Sequence, residues 1–181
     1  MARKSSRSLW TDKLSGVAST PTGAKAPRAK KAAAAPAGRG CRAIILGIDP
    51  SLRGTGLAVI DARAEPMRLL ASVTLKLGPK LEPYECMGRI ADAVEKLTRE
   101  HGVTHASIEE TIYVQNFRTA QAMGASRGAA LSVLARLGAT VREYAPKRIK
   151  MAVTGHGAAS KEQVGRMVKS VLGLAAELPL D

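Results

Sequence analysis

The chain reads as an α/β domain behind a basic N-terminal tail: a mixed sheet of five strands, flanked by helices on both faces. Three observations predict this. Residues Ile44 to Gly56, IILGIDPSLRGTG, form an apolar run that ends in a carboxylate and breaks into a glycine-bearing turn. From Met67 to Leu77 every odd position is apolar, which is the period of a half-buried strand. Past residue 80 a helical period takes over and alternates with short strands, the pattern of helices packed on a sheet.

The first strand, ending at Asp49, is apolar throughout and so is expected to be buried on both faces. Arg53 and Gly54 then make a tight turn, and Thr55 to Asp61 (TGLAVID) returns as the second strand. The third covers Met67, Leu69, Ala71, Val73, Leu75 and Leu77, all on one face. Three strands on short connections imply an antiparallel meander. Tyr84, Met87, Ile90, Ala91, Val94 and Leu97 share one face of a helix that starts near Glu82 and stops before Gly102. A short strand, Thr104 to Glu109, sets Ala106 and Ile108 against His105, Ser107 and Glu109. An Ala-rich helix follows over about Arg118 to Leu137, then a weaker strand over Thr140 to Ala145. In the last helix Ser160 and Gln163 form a capping box, Val164, Met167, Val168, Val171 and Leu172 form the buried stripe, and Gly173 ends it.

At 181 residues the chain suits one domain plus a tail. Its hydrophobic content of 45% suffices for a core, and with five aromatics (Trp10, Tyr84, Tyr113, Phe117, Tyr144) that core must be aliphatic. Cys41 and Cys86 carry neither zinc-site nor disulfide spacing, which suits a reducing compartment. No stretch approaches the ~20 apolar residues of a membrane span, and no signal-peptide core follows Met1, so a soluble protein is expected. Residues 1–40 hold nine Lys and Arg against Asp12 alone, +8 of the total +13. Rich in Ala, Pro, Ser and Gly and without an apolar face, this segment is expected to be a disordered tail. Such a tail is drawn to phosphate polyanions without sequence preference. A solubilising extension and an organellar transit peptide are the other readings.

Asp49 and Glu109 each end a strand. If those strands are neighbours, two carboxylates converge at one sheet edge and each raises the other's pKa unless a cation lies between them. Hard oxygen donors without Cys or His favour Mg²⁺ or Mn²⁺. An acid capping the turn at Pro50 and Ser51 explains Asp49 equally well. Glu110, Asp61 and Glu143 are expected to be solvated surface acids.

Three segments resemble the RuvC family of Holliday-junction resolvases, whose core is an RNase H-like fold: IILGIDPSLRGTGLAVI, SIEETIYVQNFRTAQAMGASRG and YAPKRIKMAVTGHGAASKEQVGRMVKSVLGL. The resemblance runs from about Ala43 to the last residue. It implies a sheet of three antiparallel strands followed by two parallel ones, and a nuclease domain over 41–181. It further implies Mg²⁺-dependent phosphodiester hydrolysis in the paired continuous strands of a four-way junction, with two ions per site and Mn²⁺ as a substitute. Asp49 matches the family's first catalytic aspartate and Glu109 the catalytic glutamate of its IE motif. Asp181 falls where the first acid of a D-x-x-D pair belongs; its partner three residues on lies beyond the last residue, so a fragment of a longer protein is expected. In that comparison Asp49, Glu109 and Asp181 are both the catalytic and the metal-binding set.

Lys150 and Lys161 match basic positions of the family near the scissile phosphate, and Arg148, Lys147, Arg166 and Lys169 add to the same basic region. The family carries an aromatic that intrudes into the junction, at a place where this chain has Ile112 with Tyr113 next to it; Tyr113 and Phe117 are the stacking candidates. Gly124 and Gly128, four apart on the long helix, suit close approach of a second copy of that helix in a homodimer, or close packing on the chain's own sheet. The resemblance also implies the RuvA and RuvB motor pair as partners and the bacterial cytoplasm as location. Two rival readings remain. GIDPSLRGTG is similar to the first phosphate loop of actin-like ATPases, which need a second domain that 181 residues cannot hold. A non-catalytic junction-binding protein of the same fold is the stronger rival, separated by the missing fourth acid.

Overall fold

The computed structural model describes residues 41–110 and 116–174. The expected tail, Ile112, Tyr113 and Asp181 lie outside them. In chain order the elements are β1 (Ile44–Asp49), β2 (Gly54–Asp61), β3 (Arg68–Lys76), α1 (Pro83–His101), β4 (His105–Glu109), α2 (Phe117–Arg136), β5 (Thr140–Tyr144), α3 (Pro146–Thr154) and α4 (Lys161–Leu172). The five strands form one sheet in the order β3-β2-β1-β4-β5. β1, β2 and β3 pair antiparallel, while β1 with β4 and β4 with β5 pair parallel. This is the mixed sheet that the sequence predicts, and β1 sits at its centre because both kinds of pairing meet there.

Strand alternation divides the sheet into two unlike faces. Leu46, Ile48, Leu57, Val59, Ala106 and Ile108 point to one side and are buried with Ile90 and Val94 of α1 and Ala130, Val133 and Leu134 of α2. That aliphatic cluster is the core. On the other side Gly47, Ala58, Ile60 and Ser107, with Val168 and Leu172 of α4 and Ile149 of α3, line a groove of about 510 Å³. β1 is therefore not buried on both faces as its unbroken apolar run predicts: one face is packed and the other borders the groove.

Helix ends follow local chemistry. The side chain of Glu85 accepts a hydrogen bond from the Glu82 N–H at 2.8 Å, and Gly102 closes α1 at φ +65°, a left-handed conformation that suits glycine. Asn116 caps α2 by accepting from the N–H groups of Arg118 and Thr119. The expected capping box opens α4, with Ser160 Oγ accepting from the Gln163 N–H and Gln163 Oε1 from the Ser160 N–H.

Three packing expectations change. Across β2 and β3 the register jumps from Val59 opposite Ala71 to Ile60 opposite Leu69, leaving Leu70 unpaired. This irregularity moves Leu69 to the groove side, so the odd positions of β3 do not all share a face. On α1 the buried line is Cys86, Ile90, Val94 and Thr98, and Tyr84 is 68% exposed. Cys86 and Thr98 replace Tyr84 because the helix is rotated so that its i, i+4 row faces the sheet. On α4 no residue is buried, and Met167 and Val171 are exposed. The expected stripe is split: Val168 and Leu172 border the groove, while Met167 and Val171 turn outward.

Candidate active site

Asp49 and Glu109 are the last residues of β1 and β4, which run side by side in parallel with Ile48 opposite Ile108. One step past that pair, both carboxylates stand on the groove side, and both line the groove. Given that pairing, the convergence follows from parity: Ile48 and Ile108 belong to the core, so the residues after them must face away from it.

The turn that follows Asp49 is tightly tied. Thr55, fully buried, donates its hydroxyl to the Ser51 carbonyl and accepts the Ser51 N–H at 3.2 Å. Arg53 reaches across to the carbonyls of Gly78 and Leu81, the latter at 3.0 Å. Gly56 lies opposite Asp49 across the β1–β2 pair, where an added Cβ would stand 3.6 Å from the Asp49 Cβ. Glycine here leaves the space beside the carboxylate open.

Burial raises the pKa of Glu109, the negative charge of Asp49 raises it further, and the nearby Lys150 ammonium works in the opposite direction. The two acids are thus close enough to feel one another, as expected for a converging pair, and Lys150 of α3 belongs to the same electrostatic neighbourhood. The side-chain donors that line the groove are oxygens, the carboxylates of Asp49 and Glu109 with the hydroxyls of Ser72, Thr74 and Ser107, a set that fits a hard divalent cation. Such an ion would remove the repulsion that raises Glu109. Among the described residues no third His, Cys, Asp or Glu joins them. Asp181, expected as the third acid, is outside the described residues.

The other expected site residues are dispersed around this pair. Arg148 is exposed on α3 with its guanidinium 5.7 Å from the centroid of the Tyr144 ring, a cation–π distance. Lys161 is exposed in the first turn of α4. Phe117 opens α2 and is 73% exposed. Gly124 and Gly128 also face outward on α2, and a Cβ at either would meet none of the described residues within 4 Å. Packing on the chain's own sheet is therefore excluded as the reason for those glycines.

Two acids expected as solvated surface groups are paired instead. Asp61 is held at a pKa of about 2 by Arg63, which donates to it from Nε, Nη2 and its main-chain N–H. Glu143 takes an ion pair at 2.5 Å from Arg127 of α2, whose side chain is only 17% exposed. Sequence reading passed over Arg127. Its signal was its phase: three and seven residues before Ala130 and Leu134, it occupies a position of the helix that faces inward.

The family model described as Crossover junction endodeoxyribonuclease RuvC matches residues 45–181. A relative of that name from Hyphomonas neptunium is 42% identical over 137 residues, covering 76% of this chain and 82% of the relative. Another, from Halorhodospira halophila, is 42% identical over 130 residues, covering 72% and 77%. Among solved structures, T. thermophilus RuvC in complex with Holliday junction substrate superposes with a TM-score of 0.72 at 30% identity, over 77% of this chain and 85% of that one. With the family model spanning all of the sheet but Ile44, both strand-end acids and the helices that border the groove, the chain belongs to the RuvC family of crossover junction endodeoxyribonucleases.

Proposed function

We propose that this chain is a structure-specific endodeoxyribonuclease that resolves four-way DNA junctions in recombination and repair by Mg²⁺-dependent phosphodiester hydrolysis on paired strands. The observation that carries this reading is the pair of carboxylates, Asp49 and Glu109, brought into one groove with the negative charge of one felt by the other. Family membership and the likeness to a junction-bound relative support it.

Asp49 and Glu109 would hold the divalent cation, with Asp181 as a further ligand by resemblance. Bound there, magnesium supplies Lewis acidity toward the phosphate and acidifies water for attack, and the family resemblance favours two ions, with Mn²⁺ able to substitute. The protein's own groups do the rest. Asp49, on a turn fixed by Thr55 and Arg53, and Glu109, on a central strand, hold their oxygens in place without reorganising. Lys150, already within electrostatic reach of Glu109, would offset charge that grows on the scissile phosphate. Lys161 and Arg148 extend that positive surface along the DNA backbone, which such contacts position without reading sequence. Phe117 and Tyr113 are proposed to stack on bases at the junction.

Two incisions on paired strands call for two sites, and a homodimer provides them. The outward faces of Gly124 and Gly128 on α2 support that surface, since none of the described residues occupies the space above them. The +8 segment at residues 1–40 would add non-specific affinity for DNA. No helix among the described residues is long and apolar enough to cross a membrane. Work on DNA in the bacterial cytoplasm, with RuvA and RuvB as partners, completes the proposal.

Asp49→Asn separates the nuclease from a junction-binding protein that does not cut. In a gel assay on a synthetic four-way junction, the substitution should reduce cleavage to background and leave binding in EDTA unchanged. Cleavage that persists in the variant would refute the role given to Asp49.

A further inference from the structure

We infer that Arg127 is a positioning residue for the acidic pair: its guanidinium holds the main chain of Glu109 where the strand ladder cannot, and so fixes where the Glu109 carboxylate stands beside Asp49. The inference rests on the nuclease reading above and deepens it.

The Glu110 N–H donates to the Tyr144 carbonyl of β5 at 2.9 Å. The Glu109 carbonyl belongs to the same planar trans peptide and so points the opposite way, toward β1. In a parallel ladder the donor for that carbonyl would be the N–H of the residue after Asp49. That residue is Pro50, which has none. The paired register of β1 and β4 accordingly ends at Ile48 and Ile108, one step short of the two acids. Arg127 takes the vacant place: its Nη1 donates to the Glu109 carbonyl at 3.3 Å, and its Nη2 is held by Glu143 Oε1 at 2.5 Å. A planar guanidinium can serve two acceptors at once, and anchoring by a carboxylate limits how far it can swing. One side chain from α2 thereby clamps the ends of β4 and β5 together, at the residue that carries a metal-binding carboxylate.

The test uses the whole chain, with Arg127→Met, Arg127→Lys and Glu143→Gln. Three readouts are needed: Mn²⁺ binding to the free protein by calorimetry, junction binding in EDTA, and kcat and KM for junction cleavage. Groups that orient metal ligands typically change metal affinity or activity by about 10- to 100-fold when removed, and Arg127→Met should lower kcat and Mn²⁺ affinity by amounts in that range. KM and junction binding should stay within about twofold of wild type, because phosphate contacts are made elsewhere. Lysine, which can satisfy one acceptor but not both in the same geometry, should give an intermediate loss. Glu143→Gln keeps an acceptor and should lose least; if Arg127→Met fails to fold, these two milder variants carry the test. Wild-type Mn²⁺ affinity and kcat in all folded variants would overturn the positioning role alone. A wild-type chain that neither binds Mn²⁺ nor cuts would overturn the nuclease reading, and this inference with it.

Discussion

The two faces of the sheet are built from the same strands and do opposite work. On one face Leu46, Ile48, Leu57, Val59, Ala106 and Ile108 are sealed under α1 and α2. On the other, Gly47, Ala58, Ser107 and the two acids border an open groove under α3 and α4, neither of which buries a single residue. Adjacent residues divide the labour: Ile48 holds the core and Asp49 faces the site, Ile108 holds the core and Glu109 faces the site. A carboxylate set one residue beyond a buried isoleucine shares that residue's rigid strand while remaining open to the groove, Asp49 exposed and Glu109 half-buried.

The contrast can be broken by truncating each face. Leu46→Ala removes a fully buried side chain and should cost about 2–5 kcal/mol in urea unfolding, whereas Met167→Ala on the outer side of α4 should stay within about 0.5 kcal/mol. Equal losses would mean that the outer side of α4 is packed as tightly as the core. Ser160→Ala asks how firmly the open face is organised, since it removes the cap of α4; a loss of about 1 kcal/mol is expected, and near-neutrality would mean that packing alone sets that helix.

The smallest effect concerns the site itself. Burial and Asp49 raise the Glu109 pKa above its unfolded value, so the folded state binds this proton more tightly than the unfolded chain does. That contribution to stability is present below the unfolded carboxylate pKa and is lost as pH rises through the raised folded value. Glu109→Gln cannot lose it. In EDTA the variant should therefore melt a little above wild type near neutral pH, with the gap closing below about pH 4. A gap that widened toward acid would contradict the direction of the shift.

Much of this is legible in the sequence. Element boundaries were readable because period, caps and glycines agree: the Ser160–Gln163 box and Gly173 bracket α4, and Gly102 ends α1. Asp49 and Glu109 were recoverable because strand parity places them on a common face once their strands are neighbours. Local pattern failed where a residue's surroundings come from distant chain. Leu69 left its expected face because of an irregularity opposite β2, Tyr84 because α1 rolled on the sheet, and Glu143 ceased to be a free acid because α2 delivers Arg127 to it.

Alternation of apolar and polar side chains, the capping residues, and the family motifs that run through both acids are properties of the chain read in order, since each depends on neighbours a few positions away. The joining of β1 to β4, the rotation of each helix on the sheet, and the meeting of Arg127 with the Glu109 carbonyl opposite Pro50 came from the fold. Those contacts link residues far apart in the chain, and their energies depend on shape and on unmet hydrogen bonds that no local pattern encodes.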